Sequence, residues 1–302
     1  MRACATASVL VLAICLPGCL QPQALRAPVV HETHGPPPEL IAQAKKLHEE
    51  GKLLAIEDVK QELDKPSCWL ALPAPKTKPL SGSEIWSLAR MAHVRVGYFF
   101  LCNKCKNWHL ELAGGYAITA DGAVATAFHV VRPKEKDMKE GYLVATTESG
   151  EVLPVTGILA ANEFSDVCIL RVRTRTPLQP LPLNSRILPG DTVYCYSDPA
   201  DRPGFFSDGI VNRFYRHWHG ANAKEKFPLR MNVSTDWAPG SSGAAVVDRF
   251  GNAVGHVTAI TPHGEKVATS QETTAEATSG GKTIMVFHDA VCAVDVRALV
   301  KR

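Results

Sequence analysis

The sequence predicts an all-β fold, a barrel or a sandwich, and three observations carry the prediction. From residue 94 onward short β-rich runs recur with turn residues between them, at 94–101, 115–119, 123–127, 142–147, 167–172, 192–196, 209–214, 229–233, 244–247 and 253–258. No helical period separates these runs, which excludes alternating β and α units. A chain of 302 residues, 45% hydrophobic and 21% charged, is long enough to bury a full core. That composition excludes collagen, coiled coil and wholesale disorder. The net charge of +3, from 33 Lys plus Arg against 30 Asp plus Glu, is too mild to imply nucleic-acid binding.

The elements follow in order. Residues 1–19 carry one early cation, an apolar run and small residues before Cys19, the pattern of a secretory signal peptide. Leu16-Pro17-Gly18-Cys19 resembles a bacterial lipobox, which implies acylation of Cys19 and an envelope-membrane anchor; the alternative is an ordinary signal-peptidase cut. Residues 20–84 are expected to be a Pro-rich tether with short helices. Pro22, Pro28 and Pro36-Pro37-Pro38 favour an extended spacer. Leu40, Ala44 and Leu47 then set a helical period ending at Gly51, and Ile56, Val59 and Leu63 set another closed by Pro66. Such short amphipathic helices pack on a neighbouring domain or act as spacers. After a second linker at 72–79, Ser81 and Glu84 have capping-box spacing and open a helix running to Arg90. Residues 85–302 form the main domain, closing with a loop at 261–281, a strand at 283–287 and a helix from Val294.

Three segments bear reactive side chains. An apolar strand leads into His129, Asp166 stands at the mouth of the apolar run 167–172, and Pro239-Gly240-Ser241-Ser242-Gly243 is a small-residue turn whose N–H groups can converge. Each alone is ordinary. Together they run His, Asp, Ser within Thr-Ala-x-His, Asp-x-x-x-Leu and Gly-x-Ser-Gly, and so resemble the trypsin-like serine proteases. Residues 189–193, Asp198-Pro199, 208–212 and 251–255 resemble the HtrA/Deg branch, with too few residues after Ile260 for its PDZ domain.

The resemblance implies a two-barrel fold with a short helical N-terminal extension and a C-terminal helix. It also implies endopeptidase chemistry: Ser242 as nucleophile, His129 as base, Asp166 as its orienting partner, and the Gly240 and Ser242 N–H groups as the oxyanion hole. Polypeptides are the expected substrates, with no cofactor, metal or nucleic acid. The alternative is a catalytically silent domain of this fold acting as an envelope binding or scaffold protein. Ser241 and Ala244 depart from the family's Gly-Asp/Asn-Ser-Gly-Gly. Asp236, six residues before Ser242, has the spacing of an acid at the base of a trypsin-type specificity pocket, and His256 is placed to line it.

Of nine cysteines, Cys4 and Cys15 leave with the signal, Cys19 is the lipid candidate and six remain, a number suited to an oxidising compartment. Cys102 and Cys105 are expected to form a local disulfide. The alternative, zinc binding with His109, needs a fourth ligand. Cys168 and Cys195 fall in apolar strands. The cations and aromatics of 212–230 read as a solvated hairpin, with an anionic surface as the alternative.

Overall fold

The computed structural model describes residues 29–31, 36–133, 136, 138–216, 227–264 and 283–301. The expected signal peptide with Cys19, residues 217–226 of the basic stretch and the expected 261–281 loop beyond residue 264 lie outside the described residues; residues 261–264 are strand, not loop. The chain divides into two units, 1–30 and 31–302, and the architecture below is that of the second.

In chain order its elements are α1 (Pro38–Glu49), β1 (Leu54–Ala55), α2 (Ile56–Glu62), β2 (Cys68–Trp69), α3 (Gly82–Ala92), β3 (Val94–Cys102), β4 (Trp108–Ala113), β5 (Tyr116–Ala117), β6 (Ala123–Thr126) and α4 (Phe128–Val131). Then follow β7 (Met138–Thr147), β8 (Val152–Asn162), β9 (Val167–Val172), β10 (Thr192–Ser197), β11 (Phe205–Tyr215), β12 (Arg230–Val233), β13 (Ala245–Asp248), β14 (Ala253–Gly264), β15 (Thr283–Cys292), α5 (Ala293–Ala298) and β16 (Val300–Lys301).

Apart from the short parallel pair β2–β16, the strands make two sheets of the expected kind. The first sheet runs β4-β3-β7-β8-β9-β6-β5, with β1 added to β7. A bridge from His93 to Tyr116 brings its β5 end back beside the start of β3. The second sheet is a closed barrel, β10-β11-β12-β15-β14-β13. Each encloses its own core: Val94, Leu143, Ile158 and Leu170 among others in the first, Val193, Met231, Trp237 and Val254 in the second. A third cluster, with Tyr116, Ile169, Leu181, Tyr196 and Ala253, joins the two.

The helices do what their apolar spacing implies. Leu40 and Ala44 of α1 bury against Phe99, Leu110 and Val144, and Ile56 and Val59 of α2 join the first barrel's core. Ser81 caps α3 reciprocally: its hydroxyl accepts from the Glu84 N–H, and its own N–H donates to the Glu84 carboxylate at 2.8 Å. Among the described residues no helix is long and apolar enough to cross a membrane.

Besides the two-residue strands β1, β2 and β16, two longer strands, β4 and β8, escape the sequence reading. Pro154 and Gly157 lie inside β8, where they mimic breakers, but β8 shifts register on both sides of Gly157 and such bulges accommodate these residues. β4 carries Trp108, Leu110 and Leu112 in alternation beside the Cys-x-x-Cys turn. The six cysteines 68, 102, 105, 168, 195 and 292 are all free thiols, so the expected disulfide between Cys102 and Cys105 is not formed. The hairpin turn instead leads the Lys104 N–H to the Cys102 sulfur and sets the Cys105 sulfur against His109.

Candidate functional site

His129 does not end a strand; it sits in the single turn α4, held down by the buried Phe128 and Val131 on either side. Its side chain is 44% exposed, so the ring reaches solvent from a fixed backbone. Asp166 lies in the turn before β9 with φ +57, a left-handed conformation that Asp tolerates better than most residues. The two are joined three ways. The His129 backbone N–H donates to Asp166 Oδ1 at 3.0 Å, and Nδ1 lies 3.1 Å from Oδ1 and 3.0 Å from Oδ2.

Two further residues complete the surroundings of Asp166: Thr258, which the sequence did not single out, and His256, which it placed in a specificity pocket. The Thr258 hydroxyl donates to Oδ2. His256 lies fully buried behind the turn, its Nε2–H donating to the Asp166 carbonyl at 3.0 Å. Burial pushes the Asp166 carboxyl up, but the His129 hydrogen bond and charge, together with Thr258, outweigh it and hold the group below the usual carboxylate range. An ionised Asp166 can only accept, so Nδ1 of a neutral His129 carries the proton and Nε2 is left as a basic lone pair. His256 is itself pushed down to about 4 by burial, against the opposing pull of Asp166, and is therefore neutral at pH 7. It is a buried support behind Asp166, not the wall of a pocket.

The Ser242 turn is built by four backbone hydrogen bonds. Ser241 N–H donates to Ala238 C=O, Ala244 N–H to Ser241 C=O, Gly243 N–H to Val257 C=O and Val257 N–H to Ala244 C=O, all at 2.8–3.1 Å. Gly243 has φ +83, and a Cβ there would stand 2.3 Å from Thr126 Oγ1 and 2.4 Å from the Gly114 carbonyl, so only glycine fits. The site's own hydroxyl, on the half-buried Ser242, is not bonded to His129, whose hydrogen bonds among the described residues all go to Asp166. Looseness of this kind is common before substrate arrives.

The peptide before Gly240 is held by a neighbouring turn. The Pro239 carbonyl accepts from Ala200 N–H at 2.7 Å, and the bond between Pro239 and Gly240 is trans, which aims the Gly240 N–H the opposite way. Among the described residues neither that N–H nor the one on Ser242 has a partner within the chain. Ala200 belongs to the one-turn 3-10 helix Pro199–Asp201, where it and Asp201 both take positive φ. That turn hangs from Asp198.

Asp198 accepts from both Arg95 Nε and Nη2, the latter at 3.1 Å, from Gly204 N–H at 2.8 Å, and faces His93 Nε2 at 3.2 Å. Burial raises its carboxyl, but His93 and Arg95 more than reverse this, leaving it far below the usual range. Arg95 extends the chain of charges to Glu148 at 2.8 Å, which also accepts from Tyr196. The network fixes the first barrel, through His93 and Arg95, to the second, through Asp198.

Other expected positions fall differently. Asp236 is exposed on the loop after β12, its backbone N–H and C=O bound to the Ser207 hydroxyl, so it is not the floor of an enclosed pocket. Ser241, where the family carries Asp or Asn, is fully buried with its hydroxyl unpartnered. Ala244 is fully buried against Gly114, whose lack of a side chain makes room for it. Cys168 and Cys195 are buried as expected, and burial pushes the Cys195 thiol up to about 12.

No curated protein matches the chain. Residues 113–255, which include His129, Asp166, Gly240 and Ser242, match the family model described as a trypsin-like peptidase domain, and the two barrels that hold them have the trypsin-like fold.

Proposed function

We propose that this chain is a serine endopeptidase that cleaves polypeptides through Ser242, His129 and Asp166. The observation that carries the reading is the fixed His129–Asp166 pair, with basic Nε2 free, combined with a serine turn that leaves the Gly240 and Ser242 N–H groups unengaged. Serine is a weak nucleophile at its ordinary pKa, so Nε2 takes its proton as Oγ attacks the substrate carbonyl. Asp166 keeps the imidazole in the productive tautomer and stabilises the imidazolium. The developing oxyanion meets the two free N–H groups, each donor contributing about 3 kcal/mol to the transition state. His129 then protonates the leaving amine, and water, activated the same way, releases the acyl-enzyme.

The early cation, apolar run and Leu16-Pro17-Gly18-Cys19 ending of residues 1–19 support export, and residues 189–193, Asp198-Pro199, 208–212 and 251–255 resemble the HtrA/Deg branch. We place the enzyme in a bacterial cell envelope, anchored on the periplasmic or outer side through acylated Cys19. Radiolabelled palmitate incorporated by the full chain, and lost in Cys19→Ala, tests the anchor.

A fluorophosphonate probe tests the chemistry. It labels the wild type at Ser242, as located by peptide mass spectrometry, and fails on Ser242→Ala and on His129→Ala. Peptide hydrolysis falls on the order of 10⁶-fold in Ser242→Ala. A folded wild type that neither labels nor hydrolyses any peptide overturns the proposal and leaves a silent scaffold of the same fold.

A further inference from the structure

The tip of the β3–β4 hairpin gathers three soft ligands that the peptidase reading does not use. Phe100 of β3 stands opposite His109 of β4 in the antiparallel ladder. Cys102, two residues beyond Phe100, therefore faces the same side as His109, because side chains alternate along a strand. The loop between them is wound into a tight knuckle. Cys102 N–H donates to Asn107 C=O at 2.9 Å, Lys106 N–H donates to Cys102 C=O at 3.2 Å, and Lys106 adopts φ +60. This returns Cys105 to the same face, with its sulfur 2.9 Å from His109 Nε2. Within the knuckle the Lys104 N–H points at the Cys102 sulfur at 3.4 Å.

We propose that Cys102, Cys105 and His109 form a three-ligand site for a divalent cation of the zinc class, the fourth position being taken by water or an exogenous donor. Their ligand atoms all lie within 4.8 Å of one another. A tetrahedral ion at ordinary bond lengths holds two sulfurs about 3.8 Å apart and a sulfur and an imidazole nitrogen about 3.5 Å apart. The cluster therefore needs only side-chain adjustments to close on an ion. Two thiolates and one imidazole suit zinc over magnesium or calcium, which prefer oxygen. Two thiolates also neutralise a divalent charge, so the neighbouring Lys104 and Lys106 meet no excess cation.

The Phe100 ring lies against His109 with centroids 5.5 Å apart and planes 26° from parallel, limiting the ways the imidazole can turn. The ion is not part of the peptidase chemistry. β4 has six residues, which extend about 20 Å from the knuckle toward Gly114 beside the serine turn. Its role is to lock the hairpin tip, with the open fourth position as a place where another molecule's donor can join.

The test uses the untagged full chain, isolated without chelator, reduced, loaded with Zn²⁺ and freed of excess. Elemental analysis finds one zinc per chain in the wild type, and that zinc is lost in Cys102→Ser and in Cys105→Ser. Loading with Co²⁺ gives thiolate-to-metal charge transfer and tetrahedral d–d bands, which are weakened in His109→Gln. The knuckle is solvent-facing, so these variants fold, and circular dichroism matching the metal-free wild type verifies it. Three results overturn the proposal: wild type retaining no more zinc than Cys105→Ser, the double Cys102→Ser/Cys105→Ser variant retaining its zinc, or thiol counting on protein as isolated showing the pair joined as a disulfide.

Discussion

Replacing Asp198 by Asn tests whether the charge network between the barrels governs the site. The substitution preserves shape but turns one acceptor oxygen into an amide that faces the donors of Arg95 and His93. Removing one partner from a buried ion pair costs about 3–5 kcal/mol, because the other charge is left uncompensated. The Arg95 side chain is only 16% exposed but keeps Glu148 at 2.8 Å, which places the loss nearer 2–3 kcal/mol. For a domain of this size that lowers Tm by about 4–10 °C. The larger effect is local: the turn presenting Ala200 N–H to the Pro239 carbonyl loses its anchor, and the peptide before Gly240 becomes free to rotate. One oxyanion donor is then lost from the transition state, which lowers kcat by about 10²–10³. The assay is hydrolysis of a fluorogenic peptide well below Tm, with sites counted by fluorophosphonate titration. We expect KM to remain within about twofold. A variant with the lowered Tm but full kcat refutes the link, showing that the Pro239–Gly240 peptide holds its orientation without Asp198.

Other substitutions probe the supports. Gly243→Ala forces a Cβ into the Thr126 hydroxyl and the Gly114 carbonyl at a left-handed position; overpacking and strain together cost about 3 kcal/mol, visible in urea unfolding, with peptidase activity abolished. Thr258→Val removes a hydrogen bond to the ionised Asp166 while keeping the volume. A loss of about 1.5 kcal/mol appears as roughly tenfold in kcat, and an unchanged kcat removes Thr258 from the site. His256 has a folded pKa of about 4 against an ordinary 6.5. It therefore contributes stability above pH 6.5 that is lost as pH falls toward 4, by about 3 kcal/mol. Denaturant midpoints of His256→Gln, which keeps a donor for the Asp166 carbonyl, fall less over that pH window than those of the wild type.

Local pattern made some of this molecule readable and long-range pairing hid the rest. The strand 167–172 and the Ser81 cap stand where their residues put them, since a short continuous apolar run and a capping box are both written within a few positions. His129, Asp166 and Ser242 could be singled out because each sits in a short flanking pattern. Thr258 could not: it is an ordinary strand residue until the fold brings it to a carboxylate 92 positions away. The Asp198 anchor is hidden likewise, its arginine lying 103 positions earlier. His256 misled because a histidine inside a strand gives no sign of which side of the sheet it will face. The cysteine count misled for a related reason: pairing is a property of distance, and four of the six thiols are buried singly in strands or helix-packing positions.

The closure of the second barrel sets the smallest piece of this chain that can stand alone. Strand β15 lies between β12 and β14 in the ring, yet its residues come well after position 255, where the family match stops. On the other side β3, which carries Arg95, precedes the match entirely. A fragment cut to residues 113–255 would open one barrel into a curved sheet with two bare edges and strip the other of its outer strands. Expression boundaries drawn from the recognisable segment would therefore yield an aggregating polypeptide in place of a small protease. The segments that look least like a peptidase are those that let the rest of it exist in water.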